Sequence, residues 1–277
     1  MKQYLELCKK VLEKGVQKEN RTGVDTIGYI GDMMQFDMAD GFPLLTTKKM
    51  KPIPIFGEML AFLRGYTNAK DFRKLGSNVW DANANKNEKW LANPHRKGTD
   101  DLGPIYGAQA RRWDGSTLDQ LAGVVEKLSR GEDDRRLIVS HWNPGALDKV
   151  ALPSCHVMYQ FGIQEGRLCL SMYQRSCDVP LGIPYNVAGY SWLLHVIAKI
   201  SGLEPGVFTH FMHDIHIYVD QVDGILEQID RAPRSLPSLK INEDVKTFTD
   251  LDIWADQFSF TVENYHPHPA ITIPFAV

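Results

Sequence analysis

The stretch LPSCHVMYQFGIQEGRLCLSMYQRSCDVPLGIPYNVAGY, Leu152 to Tyr190, decides the fold class. Apolar residues alternate at Val157, Tyr159, Phe161 and Ile163, then resume at Leu168, Leu170 and Met172 after Glu165-Gly166. A side-chain period of two marks a half-buried strand, and a two-residue break ending in glycine turns one strand into the next. A β-hairpin is predicted. The pattern then changes: Val187 to Ser201 is apolar on most sides, which suits a central buried helix entered from a turn at Asn186.

Working outward, helical spacing recurs at Tyr4, Leu5, Cys8, Val11 and Leu12, at Leu118, Leu121, Val125 and Leu128, and at Val219, Val222, Leu226 and Ile229. Phe258, Phe260 and Val262 predict a late strand. Strands and helices are mixed without a repeating βαβ order, so the class is α+β, a mixed β-sheet covered by helices. No repeat or Pro/Gly/Ser linker divides the chain, and residues 1–277 read as one catalytic domain. Residues 86–101, polar apart from Trp90 and Leu91, read as a surface insertion.

At 43% hydrophobic residues, 277 residues suffice for one large core. A net charge of -3 argues against nucleic acid or a membrane surface as the main partner, so any phosphate site must be local. The opening MKQYLELCKK lacks the apolar run of a signal peptide, which predicts a cytoplasmic protein. Cys8, Cys155, Cys169 and Cys177 show no CxxC pairing, so they read as free thiols, with neither zinc site nor disulfide framework.

Chemistry concentrates around Cys155. A thiol attacks as thiolate, and Arg175 is a cation that could promote ionisation. Taken alone, Cys155 is equally a small buried hydrophobe. Arg21, Arg135, Arg136 and Arg175 carry the planar fork that grips phosphate, although Asp133 to Arg136 also reads as a solvated charged turn. The Asn186 amide, one acceptor and two donors, matches a ring N–H and a carbonyl of uracil, and would also serve as a helix cap. Glu58, among helically spaced Phe56, Met59, Leu60 and Leu63, is placed to titrate high and act as acid or base, unless it faces solvent. His210, His213 and His216 suggest a metal site, but on a strand residues three apart point to opposite faces.

The chain resembles the thymidylate synthases along its whole length. The resemblance rests on NRTGVDT (Asn20 to Thr26), DGFPLLTTKK (Asp40 to Lys49), VWDAN (Val79 to Asn83), DLGPIYG (Asp101 to Gly107) and DDRRLIVSHWNP (Asp133 to Pro144). It continues in MYQRSCDVPLGIPYNVAGY (Met172 to Tyr190), HIYVDQVD (His216 to Asp223) and the late HPHPAI. It implies a homodimer, formed through the sheet, with shared active sites, and reductive methylation of dUMP to dTMP by 5,10-methylenetetrahydrofolate with no metal. Cys155 would add to carbon 6 of the pyrimidine, with Glu58, Tyr106, His156, Arg175, Asp178 and Asn186 as catalytic partners.

The same resemblance assigns the phosphate to Arg21, Arg175 and Ser176 of one subunit and to Arg135 and Arg136 of the other, with His216 and Tyr218 on the deoxyribose. Asp178 and Asn186 would also contact the nucleotide. The folate is assigned to Trp80, Asn83, Asp178, Leu181, Gly182, Tyr185 and the terminal Ala276-Val277, with Lys48 toward its glutamyl tail. Departures from the pattern are Gly57 and Ala61 around Glu58, Ala110 in place of a usual tryptophan, Ser154 before the nucleophile, and His213 in place of glycine. They keep a related activity in view, a hydroxymethylase in which water quenches the one-carbon unit to give 5-hydroxymethyl-dUMP. A metal-binding protein, or an inactive relative kept for dimerisation or RNA binding, are the remaining alternatives.

Overall fold

The computed structural model describes residues 1–20, 23–251 and 259–274. Its helices are α1 (Lys2–Lys14), α2 (Pro52–Leu63), α3 (Ala69–Lys74), α4 (Asp81–Asn85), α5 (Glu88–Leu91), α6 (Tyr106–Arg111), α7 (Gln120–Ser129), α8 (Gly182–Ser201) and α9 (Val222–Ile229). Its strands are β1 (Val16–Lys18), β2 (Thr26–Asp37), β3 (Ile138–Ser140), β4 (His156–Gln164), β5 (Arg167–Asp178), β6 (Glu204–Tyr218), β7 (Ser238–Ile241) and β8 (Phe260–Glu263).

Six strands form one mixed sheet in the order β1-β2-β6-β5-β4-β3, and β7 pairs with β8. The hairpin at its centre is β4–β5. Its turn residues Glu165 (φ 51°) and Gly166 (φ 75°) are both left-handed, the conformation that matches the twist of antiparallel strands in a two-residue loop. Strands β5 and β6 run parallel, so the chain must cross the sheet between them, and α8 is that crossing.

Period two then sorts the side chains. Phe161, Leu170, Met172 and Phe208 are buried on the inner face, beneath α8. On the outer face Met33 pairs with Phe211 and Phe211 with Tyr173, and all three remain exposed (49, 41 and 39%). Strand β6 carries all three suspected metal histidines, with His210 buried and His213 exposed on opposite sides, as the alternation requires.

Two expectations need correcting. The buried helix begins at Gly182, four residues before Asn186, because the Asp178 carboxylate accepts the Leu181 and Gly182 N–H groups (2.8 and 3.3 Å) and caps the first turn. Asn186 therefore lies inside the helix and is not its cap. Helix α9 meets the expected face only in part: Val222 and Ile229 pack against the core, with Ile225 and Gln228 buried beside them, while Leu226 and the preceding Val219 are exposed. In the late strand, Phe258 lies outside the described residues. Segment 86–101 is tied to the rest of the molecule at several points: Asn87 and Asn93 donate to the carbonyls of Ala151 (2.9 Å) and Asp148 (2.8 Å), Asp100 accepts from Arg73 (2.8 Å), and Trp90 is buried. No helix among the described residues is long and apolar enough to cross a membrane.

Candidate active site

A cleft of about 410 Å³ opens where α2, α4, α6 and the start of α8 meet the ends of β4, β5 and β6. Its geometry starts from a glycine. A Cβ on Gly107 would stand 2.3 Å from the Phe62 carbonyl oxygen, so only glycine lets α6 press against the end of α2. That approach stacks Tyr106 on Phe62 (4.8 Å between ring centres) and brings Trp80 edge-on to Tyr106 (5.6 Å).

On this helical wall, Glu58 accepts a hydrogen bond from Trp80 Nε1 (2.7 Å). Burial disfavours its charged form and pushes the carboxyl up to about 7, against the smaller opposing effect of the indole donor. An acid that changes protonation near neutrality is suited to passing protons.

Opposite it, the backbone of residues 153–155 is held from several directions. The Arg175 guanidinium donates to the carbonyls of Pro153 and Ser154 (both 2.9 Å), its backbone N–H donates to the Cys155 carbonyl (2.9 Å), and the Cys155 N–H donates to the Tyr106 hydroxyl (2.7 Å). Cys155 is partly exposed at the cleft, whereas Cys8 and Cys177 are buried and burial pushes both thiols up, Cys8 to about 12. None of the four cysteines forms a disulfide. His156 lies within hydrogen-bond reach of Tyr190 (Nδ1 to hydroxyl, 3.1 Å), and burial lowers its imidazole to about 4, so it is neutral at pH 7. The Asn186 oxygen accepts from Gln174 Nε2 (3.0 Å), and His216 Nδ1 lies 3.1 Å from Asp214 Oδ1.

Glu58, Trp80, Asn83, Tyr106, Cys155, His156, Ser176, Asp178, Leu181, Gly182, Tyr185, Asn186, His216 and Tyr218 thus line one cleft, having come from distant parts of the sequence. Others lie elsewhere. The Arg175 fork is spent behind the nucleophile and lies over the Trp142 ring (5.2 Å), so it does not line the cleft. Lys48 is buried with its ammonium on the Pro180 carbonyl, and burial lowers it to about 8; it is not directed at a ligand tail. Arg135 and Arg136 are exposed on the loop before β3, where Arg136 pairs with Asp134 (2.9 Å). Arg21, Ala276 and Val277 lie outside the described residues.

Sequence reasoning missed Gln174, Phe62, Val79 and Leu152, which also line the cleft. Gln174 had a signal: it continues the inward series Leu168, Leu170, Met172, and a polar residue there must have a partner.

The described residues hold no cluster of histidine, cysteine, aspartate or glutamate fit to bind a metal ion. A family model described as thymidylate synthase matches residues 2–277. Thymidylate synthases of Shewanella loihica, Photobacterium profundum and Pasteurella multocida are each 44% identical to the chain over 283 aligned positions, covering all of both sequences. The chain belongs to the thymidylate synthase family.

Proposed function

We propose that the cleft methylates dUMP to dTMP, and the observation that carries this is the convergence of Cys155, Glu58 and Asn186 on one cavity of about 410 Å³. Addition of the Cys155 sulfur to carbon 6 moves the ring's electron pair onto carbon 5 and the carbon-4 oxygen, making carbon 5 nucleophilic. Asn186 donates to that oxygen as its charge develops, which selects uracil and favours the addition. Glu58 and Tyr106 exchange protons with the ring through water. Methylenetetrahydrofolate supplies both the one-carbon unit and the hydride. The walls fit it: Val79, Trp80, Leu181 and Tyr185 offer apolar faces, and Asp178 and Asn83 offer polar atoms to a pteridine.

Full-length relatives named thymidylate synthase favour this product over 5-hydroxymethyl-dUMP. Hydride transfer leaves dihydrofolate and raises near-ultraviolet absorbance, whereas a water quench leaves tetrahydrofolate. We expect the rise with dUMP and methylenetetrahydrofolate. A nucleotide product heavier than dTMP by one oxygen, with no dihydrofolate signal, overturns the synthase reading.

The reading also takes the chain as a homodimer joined by its outer sheet face, which leaves Met33, Tyr173 and Phe211 side by side and uncovered in one copy. Arg135 and Arg136 then reach the neighbour's phosphate, beside Arg21 and Ser176 of that subunit, while Arg175 keeps its fork on the carbonyls of residues 153 and 154 behind the nucleophile. Mixing inactive Arg135→Ala and inactive Cys155→Ser dimers should restore activity as subunits exchange, because one hybrid site is whole. Demonstrated heterodimers without activity would return those arginines to their own subunit.

A further inference from the structure

His210 is a titratable group beside the cleft that the proposed chemistry leaves unused. It is fully buried in β6; its Nε2 lies 2.8 Å from Gln174 Oε1, and its Nδ1 has no partner. The Gln174 amide in turn gives both its hydrogens away, one to the Ser176 carbonyl (2.8 Å) and one to Asn186 Oδ1 (3.0 Å). A carbonyl only accepts, so Ser176 fixes the amide nitrogen on its own side and leaves the Gln174 oxygen facing the imidazole. The imidazole must then carry its hydrogen on Nε2 and donate.

The reverse arrangement would point the Gln174 oxygen at the Ser176 carbonyl. It would also move the His210 hydrogen to Nδ1, burying an N–H that no group accepts. Burial lowers the imidazole to about 3, so one hydrogen is all it carries at any working pH. The consequence reaches the cleft. With its oxygen already taken up by Gln174, Asn186 turns its NH₂ away from Gln174, the sense that suits the carbon-4 oxygen of uracil. The reversed chain would offer an oxygen there, the sense that suits the amino group of cytosine.

We propose that His210 is a positioning residue which, acting through Gln174, fixes which end of the Asn186 amide meets the pyrimidine and so strengthens the choice of uracil over cytosine. The inference rests on Asn186 being the base contact. Its test is a set of dUMP and dCMP dissociation constants by calorimetry, with KM and kcat for dUMP, on His210→Leu, His210→Gln and His210→Asn. Leucine removes the donor and should weaken dUMP binding about tenfold, the worth of one buried hydrogen bond, with dCMP less affected and KM moved more than kcat. Glutamine can place an N–H where Nε2 stands and should recover the preference; asparagine, reaching only as far as Nδ1, should not.

Equal weakening of both nucleotides in folded His210→Leu protein, or an unchanged preference, overturns the proposal. If the leucine variant does not fold, the glutamine and asparagine pair decides: equal preferences in the two refute a relay through Nε2. Asn186→Asp separates the two levels of inference. If it too leaves the preference unchanged, Asn186 is not the base contact; if it alters the preference while His210→Leu does not, only the role of His210 fails.

Discussion

On the sheet wall of the cleft neutral polar side chains are linked to one another, as in the run from His210 through Gln174 to Asn186. On the helical wall Glu58 has one such partner, Trp80 Nε1, amid apolar and aromatic side chains. The difference separates two tasks. Linked neutral side chains hold one geometry and are suited to recognition, whereas a desolvated carboxyl held by one indole changes charge near pH 7 and is suited to proton transfer.

The largest effect should come from the group between the walls. Cys155→Ser should lower turnover on the order of 10³-fold or more while the fold persists, because an alcohol is a far weaker nucleophile than a thiolate. Steady-state rates and a melting curve check both halves. By contrast, serine at buried Cys8 should cost stability, about 1–3 kcal/mol, and little turnover.

Glu58→Gln tests the helical wall, with an expected loss of about 10²- to 10³-fold in kcat. It should also change how stability depends on pH. In the wild type, the folded carboxyl titrates at about 7 while the unfolded one titrates near 4.5. As pH rises between those values the unfolded chain releases a proton that the folded state keeps, so stability falls, by up to about 3 kcal/mol. Denaturant titrations across that range should show a slope that the glutamine variant lacks. An identical slope in both would remove the claim that Glu58 is a strained acid.

For the sheet wall, Asn186→Asp should narrow the preference for dUMP over dCMP by about tenfold or more, read from competitive binding. The smallest and sharpest test is Trp80→Phe, which keeps the aromatic wall but removes the donor that favours charged Glu58. The pH–rate inflection should move up by about one unit. A downward move would mean that the indole acts on Glu58 other than through its hydrogen bond.

How legible the molecule was depended on where the partners lay in the sequence. The β4–β5 hairpin was readable because its alternation and its Glu165-Gly166 turn are local. The start of α8 was not, since the cap that permits Gly182-Ile183-Pro184-Tyr185 to be helical is the side chain of Asp178, still on β5. The face of α9 was legible only in part, because apolar spacing passes over Gln228, which is buried and donates to Thr47 Oγ1 (2.9 Å), a residue 181 positions away. Arg175 was recognised as important from its place beside the nucleophile, but its grip on the carbonyls of residues 153 and 154 arises only when β5 lies beside the segment leading into β4.

The parallel pairing of β5 with β6 carries a kinetic consequence. The β4–β5 hairpin is closed by a two-residue turn, and such hairpins form in about 1–10 μs. Strand β6 can dock only after the chain has passed through α8, so its pairing waits for a long loop to close. His210, His216 and Tyr218 arrive with it, together with β2, whose whole length is registered on β6. A refolding chain should therefore recover strand signal early and nucleotide binding late, which makes dUMP affinity a reporter of the last contacts to form.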